Sequence, residues 1–293
     1  MTDTIQMAET TTVARPSRWG RELKKIRGNK MLMVGGIIVL IFIILIIAGP
    51  GITGWDYKKM NIRERFAEPS RSHLMGTDNY GRDTFARIIH GARISFLVGV
   101  LSVGIGVVGG MLVGAIAGFV GGFLDNLLMR ITDALLAFPP LLLAIGLAAA
   151  IGPSIVTVSV IIGIIYIPRF ARVMRGAVLS EKSKEYVEAA RAIGQDSWRI
   201  LVMHIGPATL SPVIVMATIV FALAVIIEAS LSFLGLGVPP PTPSWGSMLS
   251  ESRAFMGKSV WMAIFPGLII SAAVLGLNLL GDGLRDYLDP KEY

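Results

Sequence analysis

The sequence predicts an all-α integral membrane protein with six transmembrane helices. Of its 293 residues, 53% are hydrophobic and only 16% are charged, a balance too apolar for an ordinary soluble enzyme of this length. The apolar residues also fall into runs that are long enough to cross a bilayer as helices. The net charge of +7 lies mostly beside these runs, where it predicts contacts with anionic membrane lipid and argues against a nucleic-acid partner.

The chain begins with a polar segment, residues 1–30, which ends in a basic stretch and is predicted to be a cytoplasmic tail. Residues 31–49 contain no charged side chain and form the first predicted span. Because this run is too long for the apolar part of a cleavable signal peptide, we expect a retained anchor. The polar segment 51–93 is rich in turn-forming residues, which predicts a small extracytoplasmic structure that forms one unit with the first span, residues 31–93.

Five further spans are predicted along the rest of the chain. They lie at residues 94–122, 127–151, 155–170, 212–234 and 261–280. Together they form a five-helix core, residues 94–282, followed by a short tail, residues 283–293. Six spans place both termini on one side, and the segments on that side hold more lysine and arginine than the others. Both termini are therefore predicted to be cytoplasmic.

The second predicted span carries glycine at every fourth position: Gly106, Gly110, Gly114, Gly118 and Gly122. Positions four apart lie on one face of a helix, so this face is bare of side chains. In membranes such a stripe allows another helix to approach closely. We therefore predict tight helix packing along the stripe and no ligand site.

Motifs for catalysis and metal binding are missing from the sequence. A phosphate-binding loop before Gly257 is excluded because Ser252 stands where its first glycine belongs. The histidines, His73, His90 and His204, are too far apart for a zinc protease motif, and there is no cysteine to supply thiolate ligands. The sequence thus predicts no catalytic residue, no metal site and no cofactor bound by this chain.

Several polar groups near the spans are predicted to be structural. Arg130 and Asp133 are three residues apart and are expected to pair on one helix, close to Asp125. The charged residues from Asp282 to Asp289 are expected to anchor the C-terminal tail at the membrane surface. The proline-rich loop 235–260 is predicted to be stiff and extended, with Trp245 at the level of the lipid head groups.

A polar segment, residues 171–210, separates the fourth and fifth spans. Residues 184–193 are good helix formers, and Gly194 can adopt the left-handed conformation that ends a helix. Asp196 or Ser197 can then cap a second helix, residues 198–205. Two short helices joined by a sharp turn are therefore predicted. Ala189 and Ala190 keep the first helix slim, so that it fits a groove on another protein.

The residues Glu188, Ala189, Ala190 and Gly194, followed by Pro207, resemble the EAA signature of importer-type ABC transporter permeases. Three further stretches are similar to hallmarks of the second permease subunit of dipeptide, oligopeptide and nickel importers. They are HLMGTDNYGRD at 73–83, PPTPSWG at 240–246 and GDGLRDYLDP at 281–290. The resemblance covers about residues 24–290, with the motifs in the family's order. It implies the importer-type permease fold with a cytoplasmic coupling helix.

The resemblance also implies a function and a set of partners. The chain is expected to be a permease subunit in the bacterial inner membrane that forms half of the translocation pathway for dipeptides and oligopeptides. The implied partners are a homologous second permease subunit, two cytoplasmic ABC ATPase subunits and an extracytoplasmic substrate-binding protein. ATP and Mg²⁺ are expected in the ATPase subunits and not in this chain. The implied ATPase-coupling residues are Glu185, Glu188, Ala189, Ala190, Arg191, Gly194 and Pro207.

Glu228 is the one acidic residue deep in a predicted span. An ionisable group at this depth is costly unless it faces water or protein, so Glu228 is a candidate for the translocation path or for contact with the neighbouring permease. The alternative is a hydrogen bond to a serine or to the backbone of another helix. Other functions also stay open: a proton-coupled secondary peptide transporter, ABC import of nickel complexes or of another small solute, a membrane-embedded hydrolase, or a structural scaffold.

Overall fold

The computed structural model describes residues 25–52, 54 and 56–288 of the protein. The predicted tail 1–30 and the last five residues therefore lie largely outside the described part. Within that part the chain is helical and forms no strand, with a single β-bridge between Thr77 and Asp83. The helices are α1 (Lys30–Ile52), α2 (Thr84–Val120), α3 (Gly122–Leu136), α4 (Pro140–Ile151), α5 (Ile155–Lys182), α6 (Glu185–Ala192), α7 (Leu210–Phe233), α8 (Trp245–Arg253) and α9 (Trp261–Leu288). The all-helical prediction is confirmed.

Among the described residues, α1, α2, α5, α7 and α9 are each long and apolar enough to cross a membrane. The predicted span 127–151 differs from these because it is split into α3 and α4, which meet at an angle of 85°. The break contains Pro139 and Pro140. A proline holds the residue before it in extended backbone, and Pro139 has φ −58° and ψ 124°. A sixth span exists only if the bent pair is counted as one.

Three membrane helices run beyond their predicted ends. α2 begins at Thr84 and not at residue 94, because the Asp83 carboxylate accepts a hydrogen bond from the Ala86 N–H at 2.7 Å and caps the helix. α5 continues to Lys182 and α9 to Leu288. The extension of α5 contains good helix formers such as Arg172, Met174 and Arg175, whereas α9 continues through Gly283, where it packs on α1. At about 1.5 Å per residue, α2 is roughly twice as long as the hydrocarbon layer is thick.

α2 and α5 pack against each other along the predicted glycine stripe. A methyl group added to Gly118 would lie 3.0 Å from the carbonyl oxygen of Arg175, and one added to Gly114 would collide with the carbonyl of Ala171. A methyl group on Gly110 would collide with Cβ of Phe170 and lie 2.8 Å from the Ile167 carbonyl oxygen, and one on Gly106 would lie 3.1 Å from the Phe170 ring. The predicted tight packing is confirmed for these four glycines.

Gly122 does not belong to the stripe. It has a φ of +62° and open space around it, because α2 ends at Val120 and the chain turns into α3 at this point. This part of the prediction is wrong. Gly122 allows the positive φ of the turn and does not serve the close approach of two helices.

The short helices α6 and α8 lie at opposite ends of the bundle, here called the α6 end and the α8 end. A continuous apolar core beneath α6 joins α2, α4, α5 and α7. A second core near α8 surrounds Trp245 and contains Phe42 and Phe96. α1 docks on α9 where Gly283 leaves room for the backbone of Leu32, and the Asn29 side chain donates a hydrogen bond to the Gly283 carbonyl at 3.1 Å.

α1 is also held to α2 near the α8 end. Residue 50 is a proline, which has no N–H to donate to the carbonyl of Ile46. Arg93 of α2 supplies the missing donor: its Nε lies 2.6 Å from the Ile46 oxygen, and its Nη2 lies 3.2 Å from that of Ile47. One side chain thus satisfies two carbonyls and joins two membrane helices.

Candidate functional site: the coupling segment and its supports

The coupling segment, residues 183–209, has the predicted pair of short helices and the predicted turn. α6 is followed by Gly194 with φ +76°. The N–H of Gln195 bonds to the Ala190 carbonyl at 3.1 Å, which closes the helix end. Asp196 then caps the second helix by accepting from the N–H groups of Trp198 and Arg199 at 3.0 and 3.3 Å. Because nothing lies within 4 Å of a methyl at Gly194, the turn needs glycine for its φ and not for space.

α6 has one face buried in the chain and one exposed. Val187 and Ala190 are 0% and 5% exposed. Ala190, three residues after Val187, lies on the inner face of α6, so of the two alanines only Ala189 faces outward. The exposed residues of the segment include Glu185, Glu188, Ala189, Arg191, Ile193, Trp198 and Pro207.

The exposed face is partly apolar. Ile193 is 82% exposed and Trp198 is 65% exposed. Glu188 and Arg191 are exposed on the same segment. The coupling segment thus presents both large apolar and charged side chains outside the chain, and both kinds of residue occur in protein–protein interfaces.

The buried face of α6 belongs to the main apolar core. Val187 and Ala190 join a continuous cluster with Ile200, Ile205 and Val178 of α5. Residues Ile200–Ile205 are wound as a π-helix, a form that is rare and frequent at functional sites. A single turn, Gly206–Ala208, then leads into α7. The coupling segment is thus packed on α5 and continuous with α7.

Glu181 is a member of this site that the sequence analysis missed. It lies in the last turn of α5, and its carboxylate accepts a hydrogen bond from Lys184 Nζ and another from the Tyr186 hydroxyl, each at 2.6 Å. Burial of the phenol and the adjoining carboxylate raise the pKa of Tyr186 to about 12, so this hydroxyl remains a donor at neutral pH. The spacing of Glu181 and Lys184, three residues apart, was the available signal.

Ion pairs tie α5 to α3 near the same end. Arg175 binds Asp125 through two bonds of 2.5 and 2.6 Å, and Arg172 binds Asp133 at 2.6 Å. The predicted pairing of Asp133 with Arg130 is therefore wrong, because the acids of α3 face α5 rather than their own helix. These pairs cross between helices and fix α3 on α5.

A cleft of about 590 Å³ opens between α5, α7 and α9 at the α6 end. Its walls are mostly apolar, with Val173, Val215 and Met216 among them, and Glu181 and Arg285 are its charged residues. Arg285, which was expected to anchor the C-terminal tail, is exposed and takes part in no ion pair within the described residues. The cleft leaves space beside the junction of α5 and α6.

Glu228 is 0% exposed and lies inside the bundle. Its Oε2 accepts a hydrogen bond from Ser95 of α2, and its Oε1 accepts one from Ser232 of α7, both at 2.8 Å. This is the geometry of the second alternative, a carboxyl held by serines that joins two helices. No contact among the described residues places Glu228 on a path, so its place in translocation stays a prediction.

A buried ionic cluster joins the loop before α2 to α8 at the other end of the bundle. Asp78 accepts from Arg82 Nε at 2.6 Å and from Arg87 Nη1 at 2.5 Å. Glu251 of α8 accepts from both arginines at 2.7 to 3.0 Å. Arg87 is 2% exposed, so its charge is neutralised within the protein. The sequence analysis predicted a small structure with turns in segment 51–93, but it did not include Glu251.

The loop 235–260 is not extended throughout, and Trp245 is not at a lipid surface. The loop contains α8, which begins with a capping box between Ser244 and Ser247. Trp245 is 0% exposed, and its indole N–H donates to the Ile88 carbonyl at 3.0 Å. The predicted position of Trp245 among lipid head groups is therefore wrong, because the ring is buried inside the protein and its N–H has a partner there.

No group of three or more histidine or acidic side chains in the described ranges is arranged to hold a metal ion.

Comparison with known families agrees with this geometry. Residues 110–292 match the model of the binding-protein-dependent transport system inner membrane component, and residues 17–69 match that of the N-terminal transmembrane domain of oligopeptide transport permease C. The chain belongs to the binding-protein-dependent transport system inner membrane component family. This inner membrane component is a multi-pass permease subunit and not an enzyme, so the resemblance seen in its motifs is confirmed.

Relatives of this inner membrane component match it over nearly its whole length. The dipeptide transport system permease protein of Alkalihalophilus pseudofirmus is 44% identical over 94% of this chain and 90% of its own length. A putative peptide transport system permease protein of Brucella abortus is 41% identical over 92% and 90%. The glutathione transport system permease protein of Pectobacterium atrosepticum is 41% identical over 99% and 96%.

Proposed function

We propose that this chain is one of two permease subunits of an ATP-driven importer of dipeptides or oligopeptides. The observation that supports the proposal best is α6, a short helix with one face packed on α5 and the other exposing apolar and charged side chains. A partner that binds the exposed face of such a helix could displace it and, through the packed face, displace α5. The similar proteins are named for dipeptide, peptide and glutathione transport, which supports a substrate with peptide bonds.

The proposed partners follow from the exposed surfaces and the family. The chain would pair with a homologous second permease. Two cytoplasmic ATPase subunits would bind the pair, each through the coupling helix of one permease. ATP and Mg²⁺ would bind in the ATPase subunits. An extracytoplasmic binding protein would deliver the substrate at the α8 end. This places the α6 end and both termini in the cytoplasm, in agreement with the basic residues Arg172, Arg175 and Lys182 near α6.

Nickel complexes or another small solute are alternative substrates, because the motifs named above are similar to those of nickel importers as well. A proton-coupled secondary transporter is not favoured. Glu228, the residue that would carry the proton, has both oxygens engaged by serines inside the bundle. That alternative would also leave the exposed face of α6 without a function.

The coupling function is tested by ATP-driven uptake of radiolabelled dialanine into proteoliposomes that contain the complete complex. Glu188→Arg reverses an exposed charge on α6, and Gly194→Pro forbids the positive φ of the turn. We expect both variants to assemble and to lose at least tenfold in uptake and in substrate-stimulated ATP hydrolysis.

Asp282→Arg is the matched control, because it makes the same reversal at an exposed position of α9. It should retain uptake. Wild-type uptake that continues without ATPase subunits or ATP would refute the proposal and point to a secondary transporter.

A further inference from the structure

Glu181 links the last turn of a membrane helix to the first turn of the coupling helix. Its two carboxylate oxygens accept from different residues: Oε1 from the ammonium of Lys184 and Oε2 from the hydroxyl of Tyr186, both at 2.6 Å. Lys184 is the N-cap of α6, and Tyr186 lies in its first turn. Two bonds to two positions of one helix fix its direction as well as its distance from α5.

The other contacts of α6 are a backbone bond, from the Lys184 N–H to the Glu181 carbonyl at 3.1 Å, and apolar packing. Val187 and Ala190 pack into the apolar core, and apolar packing has no preferred direction. Charge-assisted hydrogen bonds are directional and roughly twice as strong as neutral ones. The packing therefore keeps α6 in place, whereas Glu181 supplies the contact that resists its rotation on α5.

Glu181 is also connected to the centre of the bundle through α5. The same helix is packed along the glycine stripe of α2 and is paired with α3 through Arg175 and Arg172. A displacement that reaches the end of α5 is thus passed to α2 and α3. A loose joint between α6 and α5 would absorb part of that displacement before it reached them.

We propose that Glu181 is a positioning residue for energy coupling, which holds α6 at a fixed angle so that α6 and α5 move as one body. The inference rests on the proposed function, since it assumes that an ATPase subunit displaces α6. It adds a residue outside the EAA signature and assigns it a task that the signature residues do not perform.

The first test is the amount of dialanine taken up per ATP hydrolysed by the complete complex in proteoliposomes. Glu181→Ala removes both acceptor oxygens, and Tyr186→Phe removes one of the two donors. We expect each variant to lower this ratio about threefold or more, with assembly and basal ATP hydrolysis unchanged. Because Glu181→Ala already breaks the bond to the Tyr186 hydroxyl, the double variant should fall little below Glu181→Ala.

Ser183→Ala is the matched control. The Ser183 hydroxyl donates to the Ser180 carbonyl at 3.0 Å, so the change removes a side-chain hydrogen bond of the same turn that does not reach α6. It should leave the ratio unchanged. If Glu181→Ala prevents assembly, Tyr186→Phe decides the question alone.

The second test is amide hydrogen exchange of residues 185–192 in the same complexes, which does not depend on the substrate. Loss of the Glu181 bonds should make exchange in α6 about tenfold faster, while the Ser183→Ala complex exchanges as the wild type does. Unchanged exchange, or faster exchange with a normal ratio of uptake to ATP, would overturn the inference. Wild type that takes up no dialanine would instead count against the proposed function, and the exchange result would still decide whether Glu181 holds α6.

Discussion

At the scale of single residues, several polar side chains each join two helices. Arg93 donates to the Ile46 carbonyl, which the proline at position 50 leaves without a backbone donor, Trp245 donates to Ile88, and Glu228 accepts from Ser95 and Ser232. Each of these groups is satisfied by a partner distant in sequence or on a neighbouring helix. Inside a membrane protein, a polar side chain with such a partner fixes one helix against the next.

Glu228 gives a test that separates a structural task from a transport task. Glu228→Ala leaves two serine hydroxyls without their acceptor and creates a cavity, which we expect to lower stability by about 2–4 kcal/mol. Glu228→Gln keeps the volume and one acceptor oxygen, so it should lose less and retain uptake. Thermal unfolding of the purified complex and dialanine uptake measure the two effects. Normal stability of Glu228→Gln with abolished uptake would show instead that the carboxyl acts in translocation.

Sequence reasoning identified Glu228 and both of its possible environments, but it could not choose between them. The choice depends on Ser95, which lies on a different helix and 133 positions away. The position of Trp245 was predicted wrongly for the same reason, because the carbonyl that accepts a hydrogen bond from its indole N–H is that of Ile88 in α2. Glu181 was missed because its partners lie only three and five residues ahead, where two ordinary surface residues would give the same pattern.

At the scale of helices, the bundle depends on the stripe of glycines between α2 and α5. The spacing of the stripe was readable from the sequence because it follows from helix geometry alone. The ends of α2, α5 and α9 were not readable, since hydropathy reports where the apolar run stops and not where the helix stops. The bend between α3 and α4 was missed although Pro139 and Pro140 mark it, because the apolar residues continue on both sides.

The stripe predicts a contrast between two substitutions in α2. Gly114→Ala would push a methyl group into the Ala171 carbonyl, and backbone cannot move aside as a side chain can. We expect a loss of stability at the upper end of about 1–3 kcal/mol, or failure to assemble. Gly104→Ala is the control, because nothing lies within 4 Å of the added methyl. It should be neutral or stabilising by up to about 1 kcal/mol. Equal stability of the two variants in thermal unfolding would contradict the packing.

At the scale of the whole molecule, charged clusters close both ends of an apolar bundle. The Asp78, Arg82, Arg87 and Glu251 cluster holds α8 and the preceding loop on α2. The family, the order of its motifs and the coupling segment were all predicted from the sequence. The partner of Arg87 was not, because Glu251 lies 164 positions away and outside every motif.

Breaking the cluster of Asp78, Arg82, Arg87 and Glu251 should lower the stability of the whole fold. Arg87→Met leaves the carboxylates of Asp78 and Glu251 with one arginine between them, which we expect to destabilise the permease by about 3–5 kcal/mol. Arg63→Met is the control, since Arg63 is exposed and its side chain forms no ion pair in the described part of the chain. The fall in the unfolding temperature should be confined to the first variant, and a similar fall in both would argue that the cluster adds nothing.

The backbone contact between α2 and α5 has a consequence for where this protein can bend. Helices that meet through side chains can slide as those side chains change rotamer, but a contact made by carbonyl groups against bare glycines has no rotamers to change. α2 and α5 are therefore expected to move as one rigid unit, and α2 in this unit is longer than the hydrocarbon layer is thick. Any alternation between inward-facing and outward-facing forms has to pivot at joints outside this unit, such as the kink at residues 137–139, where α3 and α4 meet.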